Sequence, residues 1–142
     1  MKKRAVLALI PVLLLGTAAV SPALTDEEYR ELTASSPSFR QTDEELRRVW
    51  KEVYGGLSEK DRKYHLDGQR KWVGKWRDDD AEKLMKNGMS RADAYTKVTR
   101  KRINMLLIIQ HNSRLSSEDI IAGRAWPDYY FEDWYRQGSR KE

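Results

Sequence analysis

The chain contains no cysteine, which removes disulfide frameworks, thiolate metal sites and cysteine nucleophiles together. Histidine is nearly absent as well. His65 and His111 are the only two; they fall in different predicted helices, and with no cysteine to join them they are too few for a zinc or transition-metal site. No glycine-rich phosphate loop occurs, no Ser, Thr or Lys stands in a nucleophile motif, and calcium-loop spacing is missing. No cofactor is expected. The densest acidic run, Asp78-Asp79-Asp80, cannot form a two-carboxylate hydrolase site on a helix, because consecutive helical residues point about 100° apart. A glycosidase would need a glutamate raised in pKa by an apolar pocket, and nothing in the sequence marks one. These absences favour a protein that binds over an enzyme.

Long apolar runs are also scarce. The clearest, Ala5–Gly16, follows Lys2-Lys3-Arg4 and gives way to small residues over Thr17–Ala23, the three-part layout of a secretory signal. It is too short to span a bilayer comfortably, so an uncleaved membrane anchor is the weaker of its two readings. Ser21-Pro22-Ala23 is the best cleavage site, which assigns residues 1–23 to a signal peptide and starts the mature chain near Leu24. With no cysteine to take a lipid, the usual lipoprotein route is closed. The expectation is a periplasmic or secreted protein with no stable membrane span after cleavage.

Removing residues 1–23 takes away three Lys and Arg and no Asp or Glu, so the formal charge falls from +5 to +2. The basic balance is therefore partly the signal's, and neither that charge nor export suits a nucleic-acid partner. About 119 residues remain, enough for one core that folds away roughly two-thirds of the unfolded chain's surface. One folded domain is expected, held by burial alone.

Thr25-Asp26-Glu27-Glu28 has capping-box spacing and opens a short helix to about Thr33, after which Ser35-Ser36-Pro37-Ser38 breaks the chain. Residues 24–41 are thus an N-terminal arm. Thr42 or Asp43 is expected to cap a helix in which Leu46, Val49, Trp50, Val53 and Leu57 recur at steps of three and four, ending at Gly55-Gly56. Ser58, with Asp61 three residues on, caps the longest helix, to about Lys86. Its interior Gly68 and Gly74 cost roughly 1 kcal/mol each against alanine unless they admit a close neighbour; close approach of a helix and simple tolerance both fit. Asn87-Gly88 stops it. Ser90 caps the next helix, with Tyr95, Val98, Thr99, Arg102, Leu106 and Ile109 on one stripe. The nearly apolar Ile103–Ile109 should be covered on more than one side.

The fold expected is all-α: a small antiparallel bundle of three main helices over residues 42–114, with the helical arm before it and an aromatic-rich segment, 115–142, packed on it. In that last segment Ser117 opens a short helix and Gly123 ends it. Trp126-Pro127-Asp128-Tyr129-Tyr130-Phe131-Glu132-Asp133-Trp134-Tyr135 follows. So many aromatics left wet would form a patch that monomers avoid. Either Trp126, Tyr129 and their neighbours dock on Ile103–Ile109, or Trp126, Tyr129, Tyr130 and Trp134 form a recognition surface.

The segment Gln69–Asp80 carries the most information. At 100° per residue, Trp72 and Val73 flank the direction of Gln69 and Trp76 nearly repeats it, giving an aromatic stripe interrupted by an amide. Leu66 and Leu84 extend it. Buried without a partner, Gln69 would cost roughly 1–3 kcal/mol, so a neighbouring element must satisfy it. One of the three aspartates, with Asp80 first choice because it continues the Trp76 stripe, is expected to pair with Arg102, leaving the others solvated.

Gln69-Arg70-Lys71-Trp72 and Trp76-Arg77-Asp78, with Asp43, Leu46 and Tyr54 upstream and Thr99 and Arg102 downstream, resemble the LprI-like family of exported helical domains, whose named members are lysozyme inhibitors. The resemblance spans about Asp43–Gln110. It implies that Leu46, Tyr54, Gln69, Trp72, Trp76, Asp80, Thr99 and Arg102 are a fold signature. It also implies a protein partner, a lysozyme or other cell-wall hydrolase, blocked non-covalently when a rigid edge of the bundle enters the glycosidase cleft. Lacking the disulfides that occur in many relatives, this chain departs from the pattern. The loops at Gly55–Ser58 and Asn87–Ser90 are candidate contacts, and Lys86 or Arg91 would face the target's carboxylates. A mature charge of +2 supplies no long-range attraction to a cationic lysozyme, although an acidic patch around Asp78–Glu82 could offset it. The alternative is a periplasmic structural or adaptor domain that docks an envelope protein through Trp126–Tyr135.

Overall fold

A computed structural model describes residues 24–126. The expected signal peptide, residues 1–23, and the C-terminal residues 127–142, with Tyr129, Tyr130 and Trp134, lie outside the described residues. Within them every regular element is helical. The elements are α1 (Asp26–Ser35), α2 (Pro37–Gly56), α3 (Glu59–Lys71), a π-helical turn (Trp72–Trp76), α4 (Arg77–Lys86), α5 (Arg91–Ser113) and α6 (Ser117–Ile121). The architecture is a small helical bundle: α5 packs along α2 and against α4, and α1 lies on α2.

Local chemistry sets most boundaries. Thr25 and Glu28 form the expected capping box, and Ser58 and Ser90 accept the backbone N–H groups of Asp61 and Asp93. At the end of α4, Gly88 takes a φ of +98° while its N–H reaches Met85 O and that of Met89 reaches Leu84 O. That is a Schellman ending, which needs a left-handed residue. Beyond α2, the Arg62 side chain covers the carbonyls of Tyr54 and Gly55 at 3.0 and 2.8 Å.

Three expectations are corrected. Helix α2 begins at Pro37 rather than Thr42 or Asp43, because Ser36 caps it and proline occupies its first turn, where no N–H is required. Thr42 and Asp43 are buried within the helix, and Asp43 accepts from Tyr29 Oη and pairs with Arg47 at 3.0 Å. Short helix α6 is capped by Ser116, one residue before Ser117. Apart from the helix's own backbone, no atom lies within 4 Å of where a Cβ would stand at Gly68 or Gly74, so tolerance and not the close approach of a helix accounts for both.

The core joins Phe39, Leu46 and Val53 of α2 to Tyr95, Val98, Ile103 and Leu106 of α5, with Leu32, Leu57, Trp72 and Ala81 closing it. Phe39 is wholly buried and meets Tyr29 and Tyr95 edge-on, with centroids 6.0 and 6.4 Å away. No residue of α3 is fully buried. This helix positions the π turn more than it fills the core.

Candidate binding site

The sequence from Ser58 to Lys86 does form one helical run, but its middle gains a residue. Arg77 N–H bonds to Trp72 O, five positions back, which rotates everything beyond the turn relative to a regular helix. The buried positions accordingly run Trp72, Arg77, Asp78, Ala81. Trp76, expected on the inner stripe, is 47% exposed instead. Among the aspartates it is Asp78 that goes inside, at 4% exposure, while Asp79 pairs with Lys75 at 2.6 Å. Asp80 is half-buried and forms no ion pair with Arg102.

Arg102 is held by the amide. Its Nε donates to Gln69 Oε1 at 2.9 Å, which gives the half-buried amide a partner on another element. Burial lowers the Arg102 pKa to about 10, so the guanidinium remains charged at neutral pH. Its Cζ lies 5.9 Å from the centroid of the buried Trp72 ring, and Arg77 Cζ lies 5.6 Å from it. Thr99, one turn before Arg102, is 1% exposed, with its hydroxyl unpartnered. Leu46 belongs to the core, and Tyr54 is half-buried against Trp50. The eight signature residues therefore divide: Gln69, Trp72 and Arg102 form one node, Leu46 and Thr99 fill the interior, Tyr54 marks the end of α2, and Trp76 and Asp80 face outward beside the node.

Outside that node lies an open groove of about 300 Å³, walled by Trp72, Trp76 and Asp80 from one side and Val98, Arg102 and Met105 of α5 from the other. Asp79, Lys83 and Lys101 complete its rim. An indole, a thioether and a valine thus meet cations and carboxylates in one concavity, a lining suited to a polar chain with apolar faces. Val98 was expected on the stripe of the last main helix, but Met105, Lys83 and Lys101 were not singled out from sequence. Their signal was positional, since Met105 sits one turn from Arg102, Lys101 next to it and Lys83 two turns from Trp76.

The other candidate contacts lie elsewhere. Lys86 pairs with Glu82 at 3.0 Å, and Arg91 pairs with Glu28 at 2.6 Å, tying the start of α5 to α1. Trp126 stacks on His111, centroids 3.8 Å apart and planes within 7°, and its backbone exchanges two hydrogen bonds with the Asn112 side chain. It docks at the end of α5, on His111 and Asn112. Burial lowers the pKa of His65. Among the described residues no group of three potential ligands is placed to hold a metal ion, and no helix is long and apolar enough to cross a membrane.

Comparison with known protein families, curated proteins and solved structures gave no match.

Proposed function

We propose that the protein is exported to the periplasm or cell exterior and acts there as a lysozyme-inhibitor-like binding protein, blocking a glycosidase cleft without forming a covalent bond. The observation that carries this reading is Trp76, a large indole 47% exposed on a continuous helical run. Beside it stand Lys83 and Arg102. Tryptophan and arginine on a pre-ordered surface are the groups that concentrate binding energy at interfaces, since little side-chain freedom remains to be lost. Facing a glycosidase, the indole would occupy space meant for sugar while the cations approach the catalytic carboxylates. The acidic run contributes less to steering than its composition suggests, because Asp78 is buried and Asp79 is paired.

The test is protection of cell-wall substrate from a panel of lysozymes by the mature chain. Inhibition with a Kd between about 1 nM and 1 μM, weakened at least tenfold by Trp76→Ala, supports the reading. Unchanged lysis at a large molar excess of the inhibitor removes it.

A second reading, the adaptor, is favoured by Ile120 and Ile121 of α6, which are 57% and 86% exposed beside the segment leading to the C-terminal aromatics. Deleting residues 126–142 would then abolish capture of an envelope partner and leave the helical signal intact. Loss of the fold would assign those aromatics to the core.

A further inference from the structure

Asp78 is a carboxylate in a difficult place. It is 4% exposed, and its Oδ1 accepts from Tyr95 Oη at 2.6 Å and from the Leu24 backbone N–H at 3.3 Å. Its Oδ2 is buried with no partner. A buried ionised carboxylate needs a compensating charge and filled lone pairs. Around it stand Arg77 from its own helix, whose Nε is also unpartnered, the like-charged Asp79, and the neutral Tyr95 hydroxyl from α5. Burial outweighs these neighbours and pushes the carboxyl up from its ordinary value. The site is short of positive charge and of donors.

The atom that could supply both is already in contact. Leu24 follows the expected signal cleavage site, and its side chain packs against the core cluster, which holds the backbone nitrogen beside the carboxylate. Hydrolysis of the Ala23–Leu24 bond by a signal peptidase adds water across it, leaving a carboxylate on Ala23 and an ammonium group on Leu24. One N–H becomes three, with a unit positive charge, since a free α-amino group titrates near 8.

We infer that Asp78 is the seat for the α-ammonium group that cleavage creates at Leu24, so that removal of the signal completes a buried ion pair and tightens the fold only after export. This rests on the export reading above, not on any target. The uncut chain offers Asp78 an amide and therefore remains the weaker fold, the useful order of events for a polypeptide that must cross a membrane unfolded.

The experiment compares the chain beginning at Leu24 with one carrying a single extra glycine before it, each as the natural sequence and as Asp78→Asn, by urea unfolding at pH 7. The extra residue is expected to lower the folding constant at least tenfold in the natural sequence and less than twofold in Asp78→Asn. Equal losses in both backgrounds, or none in either, overturn the proposal. Should Asp78→Asn not fold, the α-amino pKa of the natural mature chain, read by NMR, decides: at least one unit above its ordinary value of about 8 is the expected result, and an ordinary value is fatal. Mass analysis of protein recovered from the cell envelope tests the cut separately. An uncut chain beginning at Met1 defeats the export assignment, whereas a cut at another residue, or Leu24 with an insensitive folding constant, defeats the ion pair alone.

Discussion

The bond between Gln69 and Arg102 ties α3 to α5 across 33 residues of sequence, and removing either partner should cost far more than removing both. Gln69→Leu leaves the Arg102 Nε with no acceptor in a site dry enough to depress its pKa. Loss of a hydrogen bond to a charged group costs about 1.5–3 kcal/mol, roughly a tenfold to hundredfold fall in the folding constant. Arg102→Met orphans a neutral, half-buried amide and removes one cation from the Trp72 ring, for about 1–2.5 kcal/mol. The double variant replaces a polar pair by apolar side chains of similar volume, a change that is often nearly neutral. The coupling should therefore approach the two single losses taken together, about 2.5–5.5 kcal/mol. Urea unfolding followed by helical circular dichroism measures it, provided the four slopes agree. Additive losses, with a coupling below about 0.3 kcal/mol, would show that the two side chains act independently and that the node does not exist.

Phe39→Ala should destabilise by about 3–5 kcal/mol, because Phe39 is wholly buried between two tyrosines; a thermal shift of only a degree or two would contradict that placement. Gly68→Ala should stabilise by about 0.4–1 kcal/mol, since the new methyl group meets nothing within 4 Å, and a loss measured by denaturant would reveal an undetected neighbour. Glu28 accepts from the Thr25 backbone N–H and pairs with Arg91, which together lower its pKa from 4.5 to about 2. A depressed carboxylate contributes stability that is present above the unfolded pKa and lost as pH falls through the folded one. Glu28→Gln should flatten the Tm profile between pH 4.5 and about 2, and parallel profiles for the two proteins would refute the assignment.

Much of the architecture was legible because helix ends are governed by residues near in sequence. Thr25, Ser58 and Ser90 each announce a cap, and Asn87-Gly88 announces a stop. Pro37 misled because a proline reads equally as a breaker and as a first-turn residue, and only the Ser36 hydroxyl on Phe39 N–H decides between them. The π turn was not legible. Nothing in the local sequence marks the inserted residue, and 100° periodicity carried past Trp72 assigns Trp76 and Asp80 to the inside where Arg77 and Asp78 lie. The Gln69 amide was recognised as needing a partner, and Arg102 as needing an acceptor, yet nothing local joined them. The Leu24–Asp78 contact spans 54 residues and depends on that same insertion.

On the proposed function, the helical surface around Trp76 enters a glycosidase cleft. Calorimetric titration of the mature chain into a lysozyme, with the cleft empty and then filled by a chitin oligosaccharide, tests it most directly. Saturable binding to the empty enzyme that the sugar abolishes is the predicted result. Binding indifferent to the sugar, or no heat with any lysozyme, would contradict it.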